Sequence, residues 1–253
     1  MILAIDIGNT TITLGHFENN EWISFWRIPT NKGITEDSFA AQYFSLCNAN
    51  NIKLDLKKTI CCSVVPTMND VIVRFHAKYI KHPPMFLESD CIKDIVIDYQ
   101  PPSAVGADRL ANAIAAKKLY RLPAIVVDFG TATTLDAIGK GGEYLGGSIL
   151  PGIELSMEAL FSKTAKLPKV DISLPERAIG KNTNMSIRSG LVLGYSGAID
   201  TLIRKFKQEI DSDATVVATG GLGETFLSVC SELESYNAFL TLEGLRFYLE
   251  DLT

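Results

Sequence analysis

The sequence predicts an α/β protein of two similar halves, each a mixed sheet with flanking helices, arranged around a central cleft. Three observations predict it. A strand-like stretch closed by an aspartate-glycine turn, Leu3-Ala4-Ile5-Asp6-Ile7-Gly8-Asn9-Thr10-Thr11, returns about half a chain later as Ile125-Val126-Val127-Asp128-Phe129-Gly130-Thr131-Ala132-Thr133. The patterns after each copy come in one order, strands first and then alternating helices and strands. The 253 residues, 47% hydrophobic and 21% charged, supply apolar surface enough for both halves.

In the first half, residues 11–17 alternate like a strand, Glu18-Asn19-Asn20 turns, and residues 22–28 read as the next strand. Residues 36–47 form a helix with Phe39, Tyr43, Phe44 and Cys47 on one side. Residues 60–65 are a buried strand. A helix then carries Leu110, Ala111, Ile114 and Ala115 inward, with Gly106-Ala107-Asp108-Arg109 as its first turn. In the second half, residues 133–138 are a strand, Gly139-Lys140-Gly141-Gly142 turns, and residues 143–149 follow as a strand. Residues 186–206 place Leu191, Tyr195, Ile199, Leu202 and Phe206 at helical spacing. A buried strand over 215–219 ends in Gly220-Gly221-Leu222-Gly223 before a helix at 224–229. The halves divide as 1–115 and 116–253.

Several classes of function are excluded. The net charge is −5 and no block of lysine or arginine occurs, so electrostatics gives no reason to expect a nucleic-acid partner. Met1 runs directly into Ile2-Leu3-Ala4-Ile5 and Asp6, unlike a signal peptide, and no apolar stretch reaches the ~18 residues that span a bilayer. A soluble, cytoplasmic protein without a membrane partner is expected. The five cysteines, Cys47, Cys61, Cys62, Cys91 and Cys230, lack metal-ligand spacing. Strand alternation points Cys61 and Cys62 to opposite faces. All five are expected to be reduced and mostly buried. His16, His76 and His82 show no zinc-site spacing either, and His16 and His82 read as packing or surface residues.

The repeated turn carries chemistry. Glycine permits close backbone approach, and successive amides in such a turn cradle phosphate oxygens. The aspartate repels phosphate, so its role is to hold a cation, or a cation's waters, that bridges to the phosphates. Two facing loops would clamp a phosphate chain from both sides. The Gly220-Gly221 turn offers bare backbone to an adenine or ribose, although such a turn is also a common structural device. No Gly-x-x-x-x-Gly-Lys-Ser/Thr segment is present, and Gly220-Gly221-x-Gly223 does not match the dinucleotide fingerprint.

On the acceptor side, Tyr99-Gln100-Pro101-Pro102 leads to Gly106-Ala107-Asp108-Arg109 at a helix start. Two readings are open there. Asp108 is a helix cap beside a surface arginine, or the free amides and Arg109 receive a carboxylate or phosphate.

These residues, in this order, resemble the type III pantothenate kinase family. That family begins with Asp-x-Gly-Asn-Thr, here Asp6-Ile7-Gly8-Asn9-Thr10, and continues with Gly-x-Asp-Arg, here Gly106-Ala107-Asp108-Arg109. Its second loop, Asp-x-Gly-Thr-Ala-x-Thr, begins here as Asp128-Phe129-Gly130-Thr131-Ala132-Thr133. Ser63-Val64-Val65-Pro66, Gly147-x-Ile149-x-Pro151-Gly152, Gly180-Lys181-Asn182-Thr183 and Thr219-Gly220-Gly221 agree as well, so the resemblance runs from residue 3 to about 245. Cys61-Cys62 departs from the small residues usual there, with no loss of activity expected.

The resemblance implies duplicated ribonuclease H-like halves of the actin-like ATPase kind, and ATP-dependent phosphorylation of the pantothenate hydroxyl, the first step of coenzyme A biosynthesis. It implies that Asp6, Ile7, Gly8, Asn9, Thr10, Thr11, Ile12 and Thr13 bind ATP, with Thr131 contacting the phosphates from the second half. It makes Asp128 the ligand of a monovalent cation, potassium or ammonium, beside the Mg²⁺ that comes with ATP. Tyr99, Gly106, Ala107, Asp108, Arg109 and Thr183 would hold pantothenate, with Asp108 as general base at an ordinary carboxylate acidity. A homodimer is implied, with the helix over 186–206 and the region after Pro151 as its contact. The rival readings are a phosphatase of the same superfold, a non-catalytic regulatory relative and an actin-like assembly protein.

Overall fold

A run of apolar residues too short for a useful helix, bounded by a glycine turn, folds as a central strand in each half. The computed structural model describes residues 1–92, 94–163 and 167–252. In chain order its elements are β1 (Ile2–Ile7), β2 (Thr11–Glu18), β3 (Glu21–Pro29), α1 (Glu36–Ala49), β4 (Lys58–Ser63), α2 (Pro66–Phe75), β5 (Met85–Phe86) and α3 (Ala107–Leu119). There follow β6 (Ala124–Phe129), β7 (Ala132–Ile138), β8 (Tyr144–Pro151), α4 (Ile153–Lys163), α5 (Thr183–Ile210), β9 (Thr215–Thr219), α6 (Gly223–Leu227), β10 (Ser235–Tyr236) and α7 (Leu240–Asp251).

The chain forms two compact units. One comprises Met1–Ile95, Gln100–Lys118 and Thr241–Thr253, the other Val96–Tyr99 and Leu119–Leu240. The division expected at 115/116 lies three residues before the end of α3's part of the first unit, and nearly all of α7 returns to that unit. Each unit has one five-stranded sheet, ordered β3-β2-β1-β4-β5 and β8-β7-β6-β9-β10. In both, the first three strands form an antiparallel meander and the last two join in parallel. The duplication read from two turns therefore extends to the whole sheet topology.

Register sets which side chains meet. Leu3, Ile5 and Ile7 of β1 point to the core formed with α1 and α2, where Phe39, Tyr43 and Phe75 pack edge to face at 5.1 and 5.4 Å. Asp6 lies on the opposite face by alternation. There α3 and α7 cover the sheet. A side chain on Gly15 of β2 would strike Leu242, and one on Gly244 would strike the Ala111 backbone, so both glycines exist for close approach. The second unit repeats the scheme: Ile125, Val127 and Phe129 enter a core with α5 and α6, where Phe129 stacks on Phe226 at 4.9 Å.

Some elements differ from expectation. β4 ends at Ser63, short of residue 65, because the Ser63 Oγ accepts a hydrogen bond from the Val65 N–H and Pro66 fixes the first turn of α2. The helix expected over 186–206 runs from Thr183 to Ile210, started by the Asn182 side chain accepting from the Met185 N–H. Its buried line is Ser189, Val192, Ser196, Ile199, Asp200 and Ile203, with Leu191, Tyr195, Leu202 and Phe206 flanking it. Small serines let the helix approach the sheet, and Asp200 is buried because it accepts from the Ser231 and Glu232 amides. Helices α2, α4 and α7 were not among the expected elements. Cys47, Cys61, Cys62 and Cys230 are free and buried; the Cys91 side chain lies outside what is described.

Candidate active site

In the first unit, the β1–β2 turn is shaped by its own backbone and by β3. The Gly8 N–H donates to Thr11 O at 3.0 Å, the Thr30 N–H to Thr10 O at 2.9 Å, and the Thr30 hydroxyl to Gly8 O at 2.7 Å. Asn9 and Thr10 are exposed, whereas Ile7 and Ile12 are core residues. The turn is therefore held from below with its tip open to solvent, the arrangement a phosphate-binding turn requires.

Asp6 sits one residue from the end of β1, opposite Thr13 on β2 and Cys62 on β4. The Cys62 thiol donates to Asp6 Oδ1 at 3.2 Å. Burial pushes that thiol well above its ordinary range, and the carboxylates of Asp6 and Asp108 push further in the same direction. The thiol is neutral, and it lies close enough to both carboxylates to feel each.

Asp108 is in the first turn of α3, where its Oδ1 accepts from the Arg109 N–H at 2.8 Å. Gly106 makes this possible, since a β-carbon there would stand 2.5 Å from Asp108 Oδ1. Its carbonyl also accepts the Leu110 N–H, as a residue preceding a helix does. Burial raises the Asp108 carboxyl above the usual carboxylate range, against the lowering effect of the Arg109 N–H and charge. The expectation of ordinary acidity is thus corrected: desolvation outweighs the helix start and the arginine. Arg109 is only 6% exposed and is not a surface residue. Asp6, Cys62, Asp108 and Arg109 belong to one unit, on one side of its sheet.

In the second unit, Asp128 pairs with Thr134 on β7 and Thr219 on β9, as Asp6 pairs with Thr13 and Cys62. The Gly130 N–H donates to Ala132 O at 3.1 Å and the Gly152 N–H to Thr131 O at 3.0 Å, which leaves Thr131 exposed at the tip. Gly220 has φ +85°, and a β-carbon there would lie 2.5 Å from Asp128 Oδ1 and 2.6 Å from Phe129 O. The turn thus folds tightly over a corner lined by oxygen. Tyr99 belongs to this unit and not to the unit of Gly106-Ala107-Asp108-Arg109. Its ring lies against Gly146 and edge-on to Tyr144 at 6.3 Å, and the Tyr144 hydroxyl donates to the buried Asp136 at 2.7 Å. Thr183 is exposed at the start of α5, on a groove of about 610 Å³ with Leu160, Leu167, Ile187 and Leu191. Among the described residues no group of three or more histidine, cysteine, aspartate or glutamate side chains is placed to hold a metal ion.

Two mixed sheets of one topology, each with a strand-end aspartate before a glycine turn, define the class: the duplicated fold of actin-like ATPases and sugar kinases. A solved structure from Campylobacter jejuni, assigned to the Baf family of transcriptional activators, has a TM-score of 0.62 at 19% identity, covering 99% of this chain and 98% of that one. Another from Sinorhizobium meliloti, assigned as a 2-dehydro-3-deoxygalactonokinase, has a TM-score of 0.57 at 13% identity, covering 99% and 95%. At such identities the likeness is one of fold alone. The sequence itself goes further. Residues 2–205 match the type III pantothenate kinase family. The type III pantothenate kinase of Desulfatibacillum aliphaticivorans is 42% identical over 252 residues, 99% of this chain and 98% of that protein. The chain belongs to the type III pantothenate kinase family.

Proposed function

We propose that the protein transfers the γ-phosphoryl group of ATP to the hydroxyl of pantothenate, forming 4′-phosphopantothenate at the start of coenzyme A biosynthesis. The observation that carries this reading is the desolvated carboxyl of Asp108, on the same unit and sheet face as Asp6, in a chain 42% identical to a type III pantothenate kinase. Asp108 is the general base. Phosphoryl transfer has a loose transition state, so the carboxylate orients the alcohol and takes its proton late, as the oxygen–phosphorus bond forms. Burial raises its pKa, which makes the carboxylate a better proton acceptor than an exposed aspartate. Arg109 and the amides at Gly106 and Ala107 hold the pantothenate carboxylate, with Tyr99 and Thr183 as further contacts.

The segment from Asp6 through Ile7, Gly8, Asn9, Thr10, Thr11 and Ile12 to Thr13 binds the ATP phosphates. Asp6 would hold the waters of the Mg²⁺ that comes with ATP, and Thr131 is a further proposed phosphate contact. A monovalent cation, potassium or ammonium, belongs at Asp128. The all-oxygen corner of Asp128 and Phe129 under the bare Gly220 fits such an ion, which prefers oxygen ligands. When bound, it would offset phosphate charge.

A homodimer is also proposed. The positions where β-carbons of Gly190, Gly194 and Gly197 would stand are open, and Leu160 and Leu193 are exposed beside them on α4 and α5. That is a face on which a second helix can pack closely. No helix among the described residues is long and apolar enough to cross a membrane. Four buried free thiols fit a reducing cytoplasm.

The test is ADP release, which should require both pantothenate and a monovalent cation. Asp108→Asn should lower turnover at least ~10²-fold with ATP binding largely intact. Hydrolysis of ATP without an acceptor, or near-normal turnover in that variant, overturns the reading.

A further inference from the structure

The duplication supplies an internal control for one residue that the reading above leaves without a role. Strands β4 and β9 are equivalents, each parallel to the strand that bears a loop aspartate. In register, Asp6 faces Cys62 and Asp128 faces Thr219. Both halves therefore set a small side chain with a polar hydrogen beside the aspartate, though the two sequences differ there. Cys62 and Thr219 are at most 2% exposed. In the first half the bond is made, from Sγ to Oδ1 of Asp6 at 3.2 Å.

An S–H group is a weak donor in water. Here the thiol is fully buried, and the acceptor is a carboxylate, which strengthens the bond. Cys61, the neighbour on β4, points the other way into the core with α1 and α2, so the two thiols have different duties.

We propose that Cys62 is a positioning residue for phosphoryl transfer, its S–H holding the Asp6 carboxylate in the orientation that serves Mg²⁺-ATP. The inference rests on the reading of Asp6 as the nucleotide-side carboxylate. Cys62 touches no substrate and acts only through Asp6. What matters is the donor hydrogen, not the sulfur, so serine or threonine should replace it.

The experiment is steady-state kinetics of the full-length protein, with Mg²⁺-ATP and pantothenate varied separately and Mg²⁺ titrated at fixed ATP. Cys62→Ala should raise KM for Mg²⁺-ATP about five- to tenfold and shift the Mg²⁺ requirement upward, with KM for pantothenate within about twofold. Cys62→Ser should stay within about twofold of the parent throughout. Where the alanine variant folds poorly, Cys62→Thr and Cys62→Val decide, since they share a shape and differ in one hydroxyl. Threonine, the residue of the second half, should outperform valine on Mg²⁺-ATP alone. Equal behaviour of alanine and serine, or of threonine and valine, overturns the proposal, as does a loss spread evenly over both substrates. Asp6→Asn is measured alongside. If it leaves the Mg²⁺-ATP kinetics normal, the reading of Asp6 itself fails. If it impairs them while the Cys62 pairs stay equal, only the role of Cys62 falls.

Discussion

Gly220 shows how much can rest on a missing side chain. Its left-handed φ of +85° costs an L-residue about 1–2 kcal/mol, and its Cα faces Asp128 Oδ1 and Phe129 O so closely that a methyl has no space. Gly220→Ala should therefore displace Asp128 from its corner. The expected outcome is a loss of at least about tenfold in kcat/KM together with a flattened potassium response. Wild-type turnover with an unchanged potassium curve would remove this corner as the cation site. The glycine-rich turn was legible in the sequence, but two meanings were open for it. Those were bare backbone for an adenine or ribose and a structural helix lead-in, and the close approach to Asp128 was in neither. Asp108 makes the same point in another way. Its position at a helix start was legible, whereas its raised pKa depends on atoms from elsewhere that exclude water, and sequence does not list those.

At the scale of elements, two buried histidines tie the layers of the first unit together. His16 on β2 hydrogen-bonds the Tyr43 hydroxyl of α1 at 2.8 Å and the Ser24 hydroxyl of β3 at 2.8 Å. His76, after α2, hydrogen-bonds Thr59 of β4 at 3.0 Å and Ile72 O at 2.8 Å. Burial lowers both from 6.5 to about 4. Each group therefore binds its proton more readily in the unfolded chain. The stability it contributes is complete above pH 6.5 and is lost as pH falls toward 4. At 1.36 kcal/mol per pKa unit, each loses about 3 kcal/mol over that window. Urea unfolding at pH 7.5 and pH 5 should show the fall, and His16→Gln should make it shallower. A pH-independent midpoint would contradict the assignment. The sequence left His16 as a surface or packing residue, and its burial makes it the latter. The helices not foreseen are informative too. The central Gly244 weakens the helical signal of α7, by roughly 1 kcal/mol relative to alanine, and is retained because α7 crosses the Ala111 backbone too closely for any side chain.

For the molecule as a whole, the proposed dimer makes a concentration-dependent prediction. Sedimentation at micromolar protein should give twice the chain mass, and Leu193→Asp, on the open glycine face of α5, should shift it toward monomer. A stable monomer for the parent protein would count against the dimer. The duplication, the two aspartate-glycine turns, the central strands and the place of Asp108 at a helix start were determined by the sequence alone. They are local patterns, written in apolar periodicity and in glycines that few other residues can replace. Tertiary structure alone decided the rest: that Cys62 meets Asp6, that Gly220 closes on Asp128, that α7 rejoins the first unit, and that burial raises Asp108. Each of these joins residues distant in the chain through strand register or close packing, and a β1–β4 register one residue different would turn Cys62 away from Asp6.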